Sequence, residues 1–204
     1  MIFFTADTHF GHANIIKYCD RPFANERAMD REIIRRWNDA VRENDIVYHL
    51  GDFTLRDSDG FRSYISQLNG SIHILGNPWH HDRRWLKDYN LGDEARYGTY
   101  AGIYSASGRT VTIEPPVVVQ ELREYKEGSH PKALVLCHYP FVAWDRSHYG
   151  SWHLHGHCHG KHSKKGKIMD VGVDSNDFRP VSLGEVAARM KKINEKVAEG
   201  TRRK

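Results

Sequence analysis

The chain has 204 residues, of which 39% are hydrophobic and 27% charged, with a net charge of +4 at neutral pH. That length suits one well-formed core and is short for two, and the composition excludes disorder as the default. The mild basicity accommodates an anionic substrate but falls short of a dedicated nucleic-acid binder.

The opening "MIFFTADTHF" has an apolar run too short for a secretory leader, and no later run approaches the length of a membrane span. Cys19, Cys137 and Cys158 are widely spaced and form no disulfide framework. A soluble cytoplasmic protein is expected. Residues 2–6 read as a buried strand. Met29, Ile33, Ile34, Trp37 and Val41 then recur at helical spacing, with charged residues between them. "DIVYHLGD" is a second strand, residues 58–69 are weakly helical, and "SIHILGN" is a third strand. Alternating strands and helices predict stacked βα units and a largely parallel sheet.

The second half differs. "GIYSASGRTVTIEPPVVVQEL" is β-rich and split by Ser-Gly and Pro-Pro, which predicts hairpins and a second sheet. "KALVLCH" and "GKIMDVGVD" are further strands. Ser182 and Glu185 form a capping-box pair that opens a closing helix, with Leu183, Val186, Ala187, Met190, Ile193 and Val197 on one face and "GTRRK" as a frayed tail. No repeat or linker divides the chain, so residues 1–204 are expected to form a single domain.

The residues that close these strands are unusual in kind. The first strand ends in Asp7-Thr8-His9, where an extended chain would put carboxylate and imidazole on the same face. The second ends in Gly51-Asp52, the third in Gly76-Asn77, and "ALVLC" in His138. Gly156-His157-Cys158-His159 follows, where alternation would turn Cys158 away from both imidazoles. Ligand-binding residues of open α/β sheets gather at the carboxyl ends of strands. Asp7, His9, Asp52, Asn77, His138, His157 and His159 are seven oxygen or nitrogen donors, too many for one catalytic zinc and suited to two ions sharing a carboxylate. Without thiolate, the set favours Mn, Fe, Co, Ni or Zn over Ca.

D-x-H, G-D, G-N, a lone His after an apolar strand, and G-H-x-H occur in that order, and the chain thereby resembles the calcineurin-like metallophosphoesterases. "DTHFGHANIIKYCDRPF" and "VGVDSNDFRPVSL" look like a small bacterial and phage subgroup. The resemblance implies a four-layer α/β/β/α sandwich of two mixed β-sheets flanked by helices, with the site on loops at one edge. It implies that Asp7, His9 and His159 hold one divalent metal ion and Asn77, His138 and His157 a second, with Asp52 bridging and manganese the expected metal. A hydroxide held between the ions would attack phosphorus in line with the leaving group. His155 would support the ligands from behind.

The family usually reads G-N-H followed by an acid; here the residues are "GNPWHHD", and Pro78 offers no proton and no N–H. Either Pro78-Trp79-His80 is an insertion and His81-Asp82 is the displaced catalytic dyad, with His80 beside it, or the dyad is lost. General-acid help is worth about 10²–10⁴-fold, so its loss would favour good leaving groups; the resemblance implies a phosphodiester rather than a monoester, because family members altered at this position tend toward diesters. His12 and Arg21, with Asn77, are candidates to face the substrate, a small phosphoester or nucleotide. A nuclease acting on oligonucleotides is the alternative of the same chemistry, and a scaffold that keeps the fold is the non-enzymatic one. No obligate protein partner is evident.

Overall fold

The computed structural model describes residues 1–76, 81–89, 102–106, 109–122, 131, 133–161 and 166–201; of residues 102–106, 109 and 194–201 only the backbone is described. The expected ligand Asn77 and the expected catalytic His80 therefore lie outside the described residues.

Strands β1 (Ile2–Thr5), β2 (Ile46–His49), β3 (Ser71–Leu75), β4 (Gly102–Ala106), β5 (Arg109–Glu114) and β10 (Val181–Ser182) form a six-stranded sheet in the order β10-β1-β2-β3-β5-β4. β1, β2, β3 and β5 run parallel, and β10 and β4 are antiparallel edges. The second sheet contains β6 (Val117–Glu121), β7 (Ala133–Cys137), β8 (Trp152–His155) and β9 (Ile168–Asp170), with β6 antiparallel to β7 and the rest parallel. Both sheets are mixed. The β-rich run in the middle of the chain thus divides at Pro115-Pro116: the hairpin before it completes the first sheet, and the strand after it opens the second.

Successive side chains of a strand point to opposite faces, so β1 serves two cores at once. Phe3 packs with Met29, Ile33 and Trp37 of α2 (Glu26–Ala40) and with Phe61 of α3 (Ser58–Ile65), while Phe4 packs with Leu134, Leu136 and Leu154 of the second sheet. Val47 and Tyr48 of β2 divide in the same way. A sheet buried on both faces explains why its strands read as continuous apolar runs. Short helices α1 (Ala13–Tyr18) and α4 (Arg83–Leu86) follow the first and third strands. Trp85 of α4 stacks on Phe61 with centroids 4.0 Å apart.

Helix α5 (Leu183–Thr201) contacts β1 and β10 of one sheet and β9 of the other, burying Val186 and Met190 in the core between the sheets. Its start is the expected capping box: the Ser182 N–H donates to Glu185 Oε2 at 2.9 Å, and the Glu185 N–H donates to Ser182 Oγ at 3.2 Å. The helix continues through Gly200 and Thr201, so that part of the expected frayed tail is helical. No helix among the described residues is long and apolar enough to cross a membrane.

Candidate metal centre

The parallel register that pairs Thr5 with His49 sends the chain out of β1 and β2 side by side. The backbones then stay zipped: Asp7 N–H donates to Gly51 O at 3.1 Å, His9 N–H to Asp52 O at 3.1 Å, and Phe10 N–H to Phe53 O at 2.9 Å. β7 and β8 are joined beyond their ends by the Gly156 N–H donating to His138 O at 3.0 Å.

Two sequence expectations about local conformation are corrected here. Asp7 and His9 do not converge through an extended chain, and His157 and His159 do not lie on a strand, so the alternation argument for Cys158 fails. All four residues have left-handed backbone, with φ of 58°, 50°, 68° and 46°, and Asp52 adds a fifth at 55°. Five of the nine positive-φ non-glycine residues among the described residues are thus expected ligands. Such conformations hold about 1–3 kcal/mol of strain each and cluster where function over-determines the backbone. Turning the chain sharply at each donor aims several side chains from a short loop at one point.

Asp52 is that point. Its Oδ2 lies 3.4 Å from His138 Nε2, 3.6 Å from His9 Nε2 and 3.9 Å from His81 Nε2. Asp7, fully buried, offers an oxygen within 4.8 Å of nitrogens of His9 and His159, and within the same limit of donors from Asp52 and His138. Two glycines make room for it: a Cβ on Gly156 or Gly172 would lie 2.6 or 2.5 Å from Asp7 Oδ2. The structure therefore gathers Asp7, His9, Asp52, His138 and His159. His157 is exposed, with its ring against those of His138 and Tyr139 at centroid distances of 5.2 and 4.7 Å, and its N–H donates to both Asp7 oxygens at 3.1 and 2.9 Å.

Residues behind the expected ligands set which ring nitrogen faces the centre. Leu50 O can only accept, so His138 Nδ1, 3.2 Å away, carries a hydrogen and Nε2 is the nitrogen turned to Asp52. His159 Nδ1 donates in the same way to Asp174 Oδ2 at 2.7 Å. His49 accepts from the Gly51 N–H at Nδ1, so its Nε2–H donates to Thr8 Oγ1, whose hydroxyl donates to Phe53 O at 2.9 Å. Burial pushes the His49 pKa down to about 3, which keeps it neutral for this relay between the two loops. His155, also buried, has Nδ1 2.7 Å from its neighbour's carbonyl, Gly156 O.

Sequence reasoning missed His49 and Asp174, and it assigned Arg21 and Asp82 to the wrong tasks. Arg21 is buried rather than facing a substrate. Its Nε and Nη2 donate to the two Asp174 oxygens at 2.8 and 2.7 Å, and Nη1 and Nη2 to the carbonyls of Thr8 and Asp7 at 3.1 and 2.7 Å. Asp82 does not orient the His81 ring: its buried carboxylate accepts from the N–H groups of Phe53 and Thr54 at 3.0 and 3.1 Å and from Trp85 Nε1 at 2.8 Å. It braces the loop that carries Asp52. His81 itself is at the centre's mouth, its ring 5.0 Å from that of His9. His12 adjoins both, 5.4 Å from the His9 ring and 5.6 Å from that of His81. Cys19 lies beside His159 and Asp174, and burial pushes its thiol up to about 11, so it stays protonated.

The donors suit transition-metal ions. Among the described residues both ring nitrogens of His9 are buried without a hydrogen-bond partner, an expensive state for a polar group that a cation would relieve. Burial pushes Asp7 up to about 7 and holds His9 far below its usual value. Burial would lower His138 too, but the Asp52 carboxylate outweighs it and raises His138 to about 9. The buried acids thus draw positive charge onto whatever can supply it. By ligand type, imidazole donors beside carboxylates are more usual for Mn, Fe, Co, Ni or Zn than for Mg or Ca.

No family model matches the chain. It is 24% identical over 219 residues to the "Gene 66 protein" of Mycobacterium phage L5, covering 94% of this chain and 95% of the phage protein. A crystal structure of AQ665 from Aquifex aeolicus, titled a protein of unknown function, superposes with a TM-score of 0.59 over 91% of this chain and 97% of that one at 21% identity, which establishes a shared fold. The uncharacterized protein MJ1445 of Methanocaldococcus jannaschii is 33% identical over 201 residues, 94% of this chain and 92% of that protein. With that identity along nearly the whole of both molecules, the chain belongs to the MJ1445 family.

Proposed function

We propose that this protein is a dinuclear metal-dependent phosphoesterase with the calcineurin-like four-layer fold, and that it prefers phosphodiesters to monoesters. The observation that carries this reading is the single carboxylate oxygen, Asp52 Oδ2, facing imidazole nitrogens from three separate chain segments at 3.4–3.9 Å, with Asp7 within reach of two of the same donors. One anionic hub with donors on several sides is what two neighbouring cations require of a bridging ligand. Asp7, His9 and His159 would hold one ion and His138, with Asn77 and His157 from the family resemblance, the other.

Bound ions of this kind neutralise charge on phosphoryl oxygens and lower the pKa of water. The chain's own residues orient and enclose. Asp174 and Leu50 O fix the ring tautomers of His159 and His138, and the Gly156 and Gly172 cradle keeps Asp7 at its post. His12 has a buried Nδ1 with no hydrogen-bond partner among the described residues, which suits it to meet a substrate oxygen arriving beside His81. The preference for diesters rests on Pro78, which stands where the family carries its proton-donating histidine, and on Asp82, which is committed to backbone and indole donors.

The test is hydrolysis of bis(p-nitrophenyl) phosphate and p-nitrophenyl phosphate by the chelator-treated and the Mn²⁺-supplied protein. Diester turnover that needs Mn²⁺ and exceeds monoester turnover is expected. Turnover unaffected by chelator, or none on any phosphoester with two ions bound, would sink the proposal.

A further inference from the structure

We infer that His81 is a metal ligand, a donor to the ion held by His9 and Asp52, and not the acid that protonates the leaving group. This rests on the dinuclear reading above and assigns a residue within it. Two donors each about 2.1 Å from one ion are about 3.0 Å apart at a right angle and at most about 4.2 Å apart when opposite. His138 and His9, both expected ligands, meet this limit against Asp52 Oδ2 at 3.4 and 3.6 Å, and His81 meets it at 3.9 Å. Donor atoms of His9, Asp52 and His81 also lie within 4.8 Å of one another, a limit that Asp7–His9–His159 also meets.

The edge-to-face His9–His81 contact, with ring centroids 5.0 Å apart, sets the two imidazoles as near each other as His9 is to His159, an expected ligand of the same ion, whose ring lies 5.4 Å away. His9 has two buried nitrogens with no hydrogen-bond partner for either among the described residues, so the cation that satisfies it is the one His81 can share. Asp82, which in a His-Asp dyad would hold the ring for proton transfer, instead anchors the turn so that His81 leans over Asp52. Once its nitrogen is bound to an ion, that nitrogen has no proton to give. Hydrolysis of poor leaving groups should therefore be slow.

The test is titration of the metal-free full-length protein with Co²⁺, followed by calorimetry and visible absorption. The wild type is expected to take up two ions. His81→Ala should weaken one of them at least tenfold, since even residues behind a ligand cost about 10–100-fold, and should change the visible bands. His12→Ala, which removes a neighbouring imidazole outside the triad, should leave the bands as they are. In the Co²⁺-loaded wild type, His81 ring protons should carry large paramagnetic shifts, a readout that survives if His81→Ala fails to fold. Unchanged affinity and bands in a folded His81→Ala protein, or unshifted His81 ring protons, overturn this assignment and leave the two-ion reading standing. A wild type that binds no Co²⁺ overturns both.

Discussion

Arg21 and Asp174, 153 residues apart, are locked together by a two-pronged contact in which Nε and Nη2 of the guanidinium donate to the two carboxylate oxygens at 2.8 and 2.7 Å. The same arginine holds the carbonyls of Asp7 and Thr8, and the same carboxylate holds His159. One ion pair thus fastens the loop after β1 to the loop after β8, and two expected ligands depend on it.

Replacing Arg21 with Ala leaves a buried carboxylate and two carbonyls without their donor, and breaking a buried pair from one side costs about 3–5 kcal/mol. Arg21→Lys keeps the charge but cannot fork, so it should recover only part of the loss. Urea unfolding followed by circular dichroism checks both variants. An Arg21→Ala protein within about 1 kcal/mol of wild type would contradict the clamp, since surface arginines are worth no more than that.

Gly172→Ala separates geometry from backbone strain. Gly172 has φ of −58°, which alanine adopts freely. The added Cβ would nonetheless fall 2.5 Å from Asp7 Oδ2 and 3.0 Å from Asp170 Oδ1. Asp7 must move, at about 1–3 kcal/mol for an overpacked site, and Mn²⁺ affinity should drop at least tenfold, because about 1 Å of misplacement in a preorganised site is costly. Calorimetric titration reads the affinity. Wild-type affinity in the variant would mean that Asp7 does not hold an ion.

These two cases mark how far the sequence could be read. The convergence of Asp7, His9, Asp52 and His138 was legible because each follows an apolar strand, and the ends of neighbouring parallel strands lie side by side; His159 sits in the turn after β8. The capping box was legible because Ser182 and Glu185 are neighbours. Arg21 was misread because nothing local distinguishes a guanidinium at a surface from one at the end of a buried fork. Its partner is Asp174, far along the chain. His49 looked like part of a strand, and its relay to Thr8 exists only once β1 and β2 are in register. The left-handed turns at the expected ligands escaped notice because Asp and His, although enriched at positive φ among non-glycine residues, adopt it too seldom to mark a turn by themselves.

Removing metal should lower stability as well as activity. An ion that binds only the folded state at 100 times its Kd adds about 2.7 kcal/mol, which for a domain of this size raises Tm by about 5–10 °C. Thermal unfolding in Mn²⁺ against EDTA should show that difference, and Mg²⁺, which wants oxygen ligands, should show little of it. Coincident melting curves in Mn²⁺ and EDTA would argue against a resident ion.

The capping box of α5 makes a pH-dependent contribution whose sign can be stated. The Glu185 carboxylate accepts from Arg179 Nη2 at 2.6 Å, from the Ser182 N–H at 2.9 Å and from Ser182 Oγ at 2.9 Å. Arg179 foremost, then Ser182, lower its pKa from 4.5 to about 2. Between those values the unfolded chain binds the proton that the folded chain refuses, so stability from this group is full above about pH 4.5 and lost as pH falls toward 2. The Glu185 side chain is 37% exposed, so solvent screening reduces the contribution to about 1 kcal/mol. Glu185→Gln should therefore be about 1 kcal/mol less stable at neutral pH, and its urea midpoint should converge on that of wild type as pH is lowered through the window. Because α5 buries Val186 and Met190 between the two sheets, a loosened first turn is felt in the core, and a stability gap that stays constant from pH 7 to the acid limb would show that the carboxylate charge plays no part.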